Sequence, residues 1–272
     1  MGETRDVAVG AMVGVTDICF VYPLAVLACR REAGMSMRQS LRAGNYWSGA
    51  STQSILIPYS ILVEAGTKAM NRQLGQGPPL LGPLAISAIV GVSLQPVEKM
   101  LTIQQLLQTQ NTSAQSAQAS SNPLKAMRAY QQAHGMRALY KGLSCVVLRE
   151  FIYIASITVV NPYAVRYSEQ LTSNSSFSRA AETMAAFSVG FTAGMVSAPV
   201  QTVNAMMKDE RNRSSGLADI VRRDLSQGFV GNVRRLYFGS FIRSLRCGGA
   251  GVLYHTWRTV LSEGESITSP EK

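Results

Sequence analysis

The sequence predicts an all-α membrane protein: six transmembrane helices in three pseudosymmetric two-helix repeats, with short helices on one surface of the membrane. Three observations carry this. An aromatic-X-Gly signal recurs at Trp47-Ser48-Gly49, Tyr140-Lys141-Gly142 and Tyr237-Phe238-Gly239, with glycines 93 and 97 residues apart, each preceded by an apolar segment holding a proline (Pro23, Pro96, Pro199). A period of about 95 residues is too long for an ordinary solenoid unit and leaves room for two long helices per repeat. Only 15% of residues are charged against 46% hydrophobic. Small residues recur one helical turn apart, as membrane helices need where lipid offers no hydrophobic drive for association.

Each helix follows from where charge is missing. Charges avoid Val7 to Leu27, Leu80 to Leu94, Leu143 to Tyr163, Ala180 to Ala205 and Phe238 to Leu261. At about 1.5 Å rise per residue, roughly 20 residues span a bilayer. The sixth stretch, Ala50 to Ala69, is more polar and is required by the repeat. Mean hydropathy is only +0.08, as expected where helices turn a polar face to a watery cavity. Ser87-x-x-x-Gly91 and Gly190-x-x-x-Gly194 both stand nine and five residues before their prolines, and Gly14, of Gly10-x-x-x-Gly14, shares the nine-residue position. The repeats divide the chain into 1–75, 76–172 and 173–262, with a flexible Gln/Ser/Ala-rich insertion at 109–122 and a polar, frayed tail at 263–272.

Charge orients the chain. Lys and Arg total 26 against 16 Asp and Glu, a net +10, and the bases gather after each proline helix. Gln73 to Pro79 and Thr172 to Ser178 are short and nearly neutral. A positive-inside bias therefore puts three basic loops inside and both termini outside. Ser36 to Ala43, Pro123 to His134 and Leu217 to Ser226 read as short amphipathic surface helices. The excess base suits anionic membrane lipid and anionic solutes. It is spread over three loops without a recognition motif, which argues against nucleic acid.

Three two-helix repeats, a proline in each odd helix, a basic loop with a short helix, and then aromatic-X-Gly resemble the mitochondrial carrier family over nearly the whole chain. Gly135-Met136-Arg137-Ala138-Leu139-Tyr140-Lys141-Gly142 followed by Arg149 is the most specific piece. The resemblance implies a monomeric, multi-pass transporter of the inner mitochondrial membrane, open alternately to either side, with both termini in the intermembrane space and no cofactor. Members are mostly made without a cleaved presequence, and Met1 to Asp6 lacks an Arg-rich leader.

The departures from the family pattern are specific. In the family, Pro-x-acid-x-x-base on each odd helix forms a ring of ion pairs that closes the matrix side. Here Pro23 is followed by Ala25 and Ala28, Pro96 by Glu98 and Leu101, and Pro199 by Gln201 and Asn204. Three ion pairs cannot form. Glu98 is left to seek Lys99 or Arg30, and Gln201 and Asn204 to hydrogen-bond. The family's second network, late in each even helix, is also out of register at Thr67-Lys68, Val160-Asn161 and Trp257-Arg258.

Seven residues after each repeat glycine stand Leu56, Arg149 and Arg246. A base inside a membrane helix costs several kcal/mol by insertion scales unless it lines water or meets a partner. These positions resemble the family's central substrate contacts. Arg149-Glu150 resembles the Arg-acid pair seen where the substrate is amino-acid-like, because a guanidinium forks a carboxylate while an acid receives an ammonium. The alternative for Arg149 is an internal bridge to Glu150 or Asp17. Arg243, one turn before Arg246, is its electrostatic companion or an interface residue. Asp17 reads as a structural partner for a cavity arginine, and Glu64 with Lys68 as a surface ion pair.

Enzymatic readings lack parts. Cys19, Cys29, Cys145 and Cys247 are scattered without metal spacing, and His134 and His255 stand alone. The expected function is transport of a small anionic or zwitterionic metabolite, amino-acid-like or carboxylate. The alternative is a transport-inactive carrier-like scaffold of an organelle membrane.

Overall fold

Each long apolar segment forms a helical rod. The computed structural model describes residues 2–32, 36–42, 56–74, 78–109, 123–172, 177–208 and 240–268, with isolated positions between them. The first rod is α1 (Gly2–Thr16), a π-turn (Asp17–Val21) and α2 (Tyr22–Glu32). The second is α4 (Leu56–Ile61), a π-turn (Leu62–Gly66) and α5 (Thr67–Gln73). The third is α6 (Leu81–Thr109). The fourth is α9 (Leu143–Ala155), a π-turn (Ser156–Val160) and α10 (Asn161–Thr172). The fifth and sixth are α11 (Ser178–Lys208) and α12 (Ser240–Thr268). Short helices α3 (Met37–Arg42), α7 (Pro123–His134) and α8 (Met136–Leu139) connect them.

The prolines are absorbed differently. Pro23 lies just after a π-turn, so its missing N–H falls where the hydrogen-bond ladder has already shifted. Pro96 and Pro199 sit inside continuous helices, a placement that membrane helices tolerate where neighbours can re-satisfy the freed carbonyl.

Consecutive rods are neighbours, and the sixth packs back on the first, closing a ring. The small-residue motifs mark the contacts within pairs. A Cβ on Gly10 would stand 2.5 Å from Ile61 Cα, on Gly91 2.6 Å from Val147, and on Gly194 2.6 Å from Ser244 Cα. Backbones approach here because only glycine leaves room. The core fills the end of the ring that holds the chain termini: Val9, Val13, Val63, Ile86, Val90, Ile154, Ile157 and Tyr254 come together from five rods.

Outward faces are apolar, with Phe20, Leu148, Tyr163, Met184, Val196 and Phe241 exposed. Among the described residues, three helices are long and apolar enough to cross a membrane: Glu3–Ala28, Met136–Thr172 and Ser178–Met207, with a shorter apolar stretch at Leu81–Pro96. The chain is an all-α membrane protein. The second and sixth rods miss that threshold where Glu64, Lys68, Arg72, Arg243, Arg246 and Arg258 enter them, several of which turn toward neighbouring rods.

Helices form at two of the three stretches expected to be short helices, Met37–Arg42 and Pro123–His134. The tail is corrected: instead of fraying from residue 263, α12 continues to Thr268. Most of Leu217 to Ser226, residues 110–122 of the insertion, Gly49 and Gly239 lie outside the described residues.

Candidate functional site

Arg149 is carried by α9, whose start depends on Gly142. This residue has φ of +90° and a Cβ there would stand 2.6 Å from Asn204 Oδ1, so both backbone conformation and space demand glycine. The repeat glycine thereby sets the register of everything above it. Seven residues on, the Arg149 guanidinium is surrounded by the third, fourth and fifth rods. Its Nε donates to Glu150 Oε1 at 2.9 Å, and Nη1 donates to Gln201 Oε1 at 2.7 Å and to Glu98 Oε2 at 3.2 Å. Nη2 donates to both Glu98 and Glu150. All five guanidinium protons have acceptors. From the second rod, Tyr59 Oη donates to Glu150 Oε2 at 2.7 Å.

Glu98 pairs with Arg149, a partner beyond the two expected for it. Lys99 is buried beside the Tyr130 ring, 5.5 Å from its centroid, and Arg30 donates to the Ser40 carbonyl at 3.0 Å. Gln201 takes its bond from the same arginine. Asn204, 1% exposed, has no side-chain hydrogen-bond partner among the described residues. At the first-repeat positions, Ala25 and Ala28 are buried, Ala25 in a small cluster with Tyr22 and Val26.

A second pair joins the sixth rod to the first. Arg246 Nη2 lies 3.4 Å from Asp17 Oδ2, with Asp17 opening the first π-turn. Cys247, next in sequence, is within Coulombic reach of Arg246, Arg243, Asp17 and Glu150, so the two clusters border one region. Leu56 is the first residue of α4.

Toward the terminal end lies a separate network. Glu64 is 0% exposed and receives Arg258, whose Nε donates at 2.9 Å, and Lys68 at 2.7 Å. Arg258 Nη1 also donates to the Ile157 carbonyl at 3.2 Å. Lys68 reaches Asp6 at 2.6 Å, and Arg72 bridges Asp6 and Glu3, each at 3.1 Å. The expected Glu64–Lys68 surface pair is therefore half of a buried link between the three even-numbered rods. Burial follows because Arg258 crosses the ring and compensates the carboxylate.

Sequence reasoning missed Tyr59 and the role of Arg258. Tyr59 stands three residues after Leu56, a spacing that shares a helix face. Lys68, Asn161 and Arg258 stand 19 residues after their repeat glycines, and Glu64, Ile157 and Tyr254 stand 15 after. Register relative to the glycines would have aligned them.

The rods form a closed ring with an apolar exterior and ion pairs turned inward, the arrangement of an all-α membrane protein. Residues 79–168 match the family model described as mitochondrial carrier protein. The matched segment contains Glu98, Arg149 and Glu150. The family consists of solute carriers of the inner mitochondrial membrane, not enzymes. No curated protein matches the chain.

Proposed function

We propose that this chain moves a small zwitterionic, amino-acid-like metabolite across the inner mitochondrial membrane by alternating access. The observation that carries the reading is the charge set at mid-ring: Arg149, Arg243 and Arg246 against Asp17, Glu98 and Glu150. The six formal charges cancel. A simple carboxylate would leave this region net negative, whereas a zwitterion leaves it balanced. Its carboxylate replaces Glu98 on Arg149 and its ammonium takes up a released glutamate oxygen, so no uncompensated charge is buried during exchange. Arg246 provides the second cation, and Leu56 the apolar side.

Release of Glu98 links binding to movement. Glu98 and Gln201 belong to the third and fifth rods, which carry the in-helix prolines, so exchanging their bonds frees those rods from the fourth. Pro23, Pro96 and Pro199 mark where the odd rods move, with Gln201 and Asn204 as the neutral remainder of the gate. The working unit is a monomer of six membrane helices in repeats 1–75, 76–172 and 173–262, set in anionic lipid. Both termini face the intermembrane space. Protease added to intact mitoplasts then removes an epitope tag placed after Lys272, and protection of that tag reverses the orientation.

Thermal stability of the purified protein across matched solutes tests the reading, since a ligand that binds only the folded state stabilises it. An α-amino acid is expected to raise the melting temperature where the carboxylate lacking its amine does not. Stabilisation by simple carboxylates alone overturns the zwitterion. The scaffold reading draws on one observation, that every Arg149 proton is already bonded within the chain. It prevails if no solute stabilises or is transported and Arg149 variants keep every cellular phenotype.

A further inference from the structure

The third repeat holds an acid–imidazole pair that transport of a zwitterion does not require. Glu182 on α11 and His255 on α12 face each other with Oε2 and Nε2 3.7 Å apart, their side chains 18% and 14% exposed. The other oxygen of Glu182 accepts from Ser178 Oγ at 3.0 Å. Glu182 stands 17 residues before Pro199; the same offset before Pro23 is Asp6, and before Pro96 it is Pro79.

Equivalent positions are therefore treated in three ways. Asp6 meets Lys68 and Arg72, which are charged throughout the physiological range. The second repeat has no acid. Glu182 meets histidine, whose ordinary titration lies between pH 5 and 8. With a neutral imidazole, 3.7 Å is too long for a hydrogen bond; with a proton added, the same separation is an ion pair. An acid inside a membrane helix needs such a partner.

The charged groups acting on His255 are Glu182 and Arg258, one turn along its own helix. Nearby elements also carry Arg179 on α11, Arg5 and Asp6 on α1, and Arg166 and Glu169 on α10. Asp6 is engaged by Lys68 and Arg72, and Arg258 by Glu64.

We propose that Glu182 and His255 form a proton-binding site at the terminal end of the ring, and that a bound proton ties α11 to α12 as Lys68 ties the second rod to Asp6. The site rests on this geometry and not on the identity of the solute.

Histidine-labelled full-length protein tests it by magnetic resonance. His134 is the only other histidine, so His255 is assigned by elimination and its signals report its charge. At pH 5.5 the protonated-to-neutral ratio of His255 is expected to be at least about twofold higher in wild type than in Glu182→Gln. A double-mutant cycle of Glu182→Gln and His255→Gln is expected to show non-additivity of roughly 1 to 3 °C in melting temperature at pH 5.5 and none at pH 8. Replacing the imidazole by a permanent cation, His255→Lys, keeps the coupling to Glu182 at pH 8. Equal protonation with and without the Glu182 charge, or coupling that is the same at both pH values, overturns the site. If Glu182→Gln does not fold, Glu182→Asp serves in the titration, where an unchanged ratio and unchanged stability at both pH values overturn it.

Discussion

The networks around Glu64 and Arg149 use the same residue types to opposite ends. At the terminal end one carboxylate is held by two cations, Arg258 and Lys68, and adjoins the apolar core at Tyr254, over whose ring Arg258 sits 5.6 Å from the centroid. At mid-ring one guanidinium is held by two carboxylates, Glu98 and Glu150, with side-chain exposures of 26% and 7%. The first has no surplus group to offer a solute, because the remaining charge on Lys68 and Arg72 is met by Asp6 and Glu3. The second sets two carboxylates on one guanidinium, with its balancing cations farther off, and part of it is open. A buried carboxylate held by two cations is suited to a clasp, whereas a partly open guanidinium shared by two carboxylates is suited to exchanging partners.

Removing the clasp has the largest expected effect. Arg258→Ala leaves Glu64 buried with Lys68 alone, and breaking a buried pair from one side costs about 3 to 5 kcal/mol. A fall of many degrees in melting temperature is expected, with much of it recovered in Arg258→Met/Glu64→Leu, where both charges are gone. If Arg258→Ala melts like wild type, the link between even rods is not closed in solution.

At mid-ring, Arg149→Ala strands two carboxylates and is expected to abolish transport and to lower stability. Adding Glu98→Gln removes one stranded charge and is expected to restore stability without restoring transport. That split separates binding from folding, and recovery of both would assign Arg149 a structural role only. Glu98→Gln alone keeps the Arg149–Glu150 pair and is expected to cost roughly 1 to 2 kcal/mol in stability while slowing transport about tenfold.

Tyr59→Phe is the mildest. It removes a single hydrogen bond to Glu150 while keeping the ring, so a stability loss of about 0.5 to 1.5 kcal/mol is expected. Weakened binding of amine-bearing solutes with simple carboxylates unaffected would show that Tyr59 positions Glu150. Equal weakening of both would place its effect on packing.

The helical rods, the register set by Gly142, and the candidacy of Arg149 and Arg246 are legible in the chain because they depend on local quantities. A run without charges reports burial in lipid, a glycine with positive φ reports a turn, and a base within an apolar run demands a partner wherever it lies. Glu98 and Arg149 are 51 residues apart, Glu64 and Arg258 are 194, and Asp17 and Arg246 are 229. Helical periodicity does not join such positions, although register from the repeat glycines puts Glu64 and Arg258 one turn apart in depth on their two even rods. Glu64 and Lys68, four residues apart on one helix, look like a solvent pair until Arg258 arrives from the sixth rod.

Which segments leave water can be read along the chain, because desolvating charge is costly at every position along a helix. The same reading excludes the ion-pair pattern of the mitochondrial carrier family, because Ala25, Ala28, Gln201 and Asn204 carry no charge. Tertiary structure alone decided which acid meets which base. Ring closure brings side chains from four rods within 3 Å of one another, and in low dielectric that proximity outweighs any preference between neighbours on a single helix.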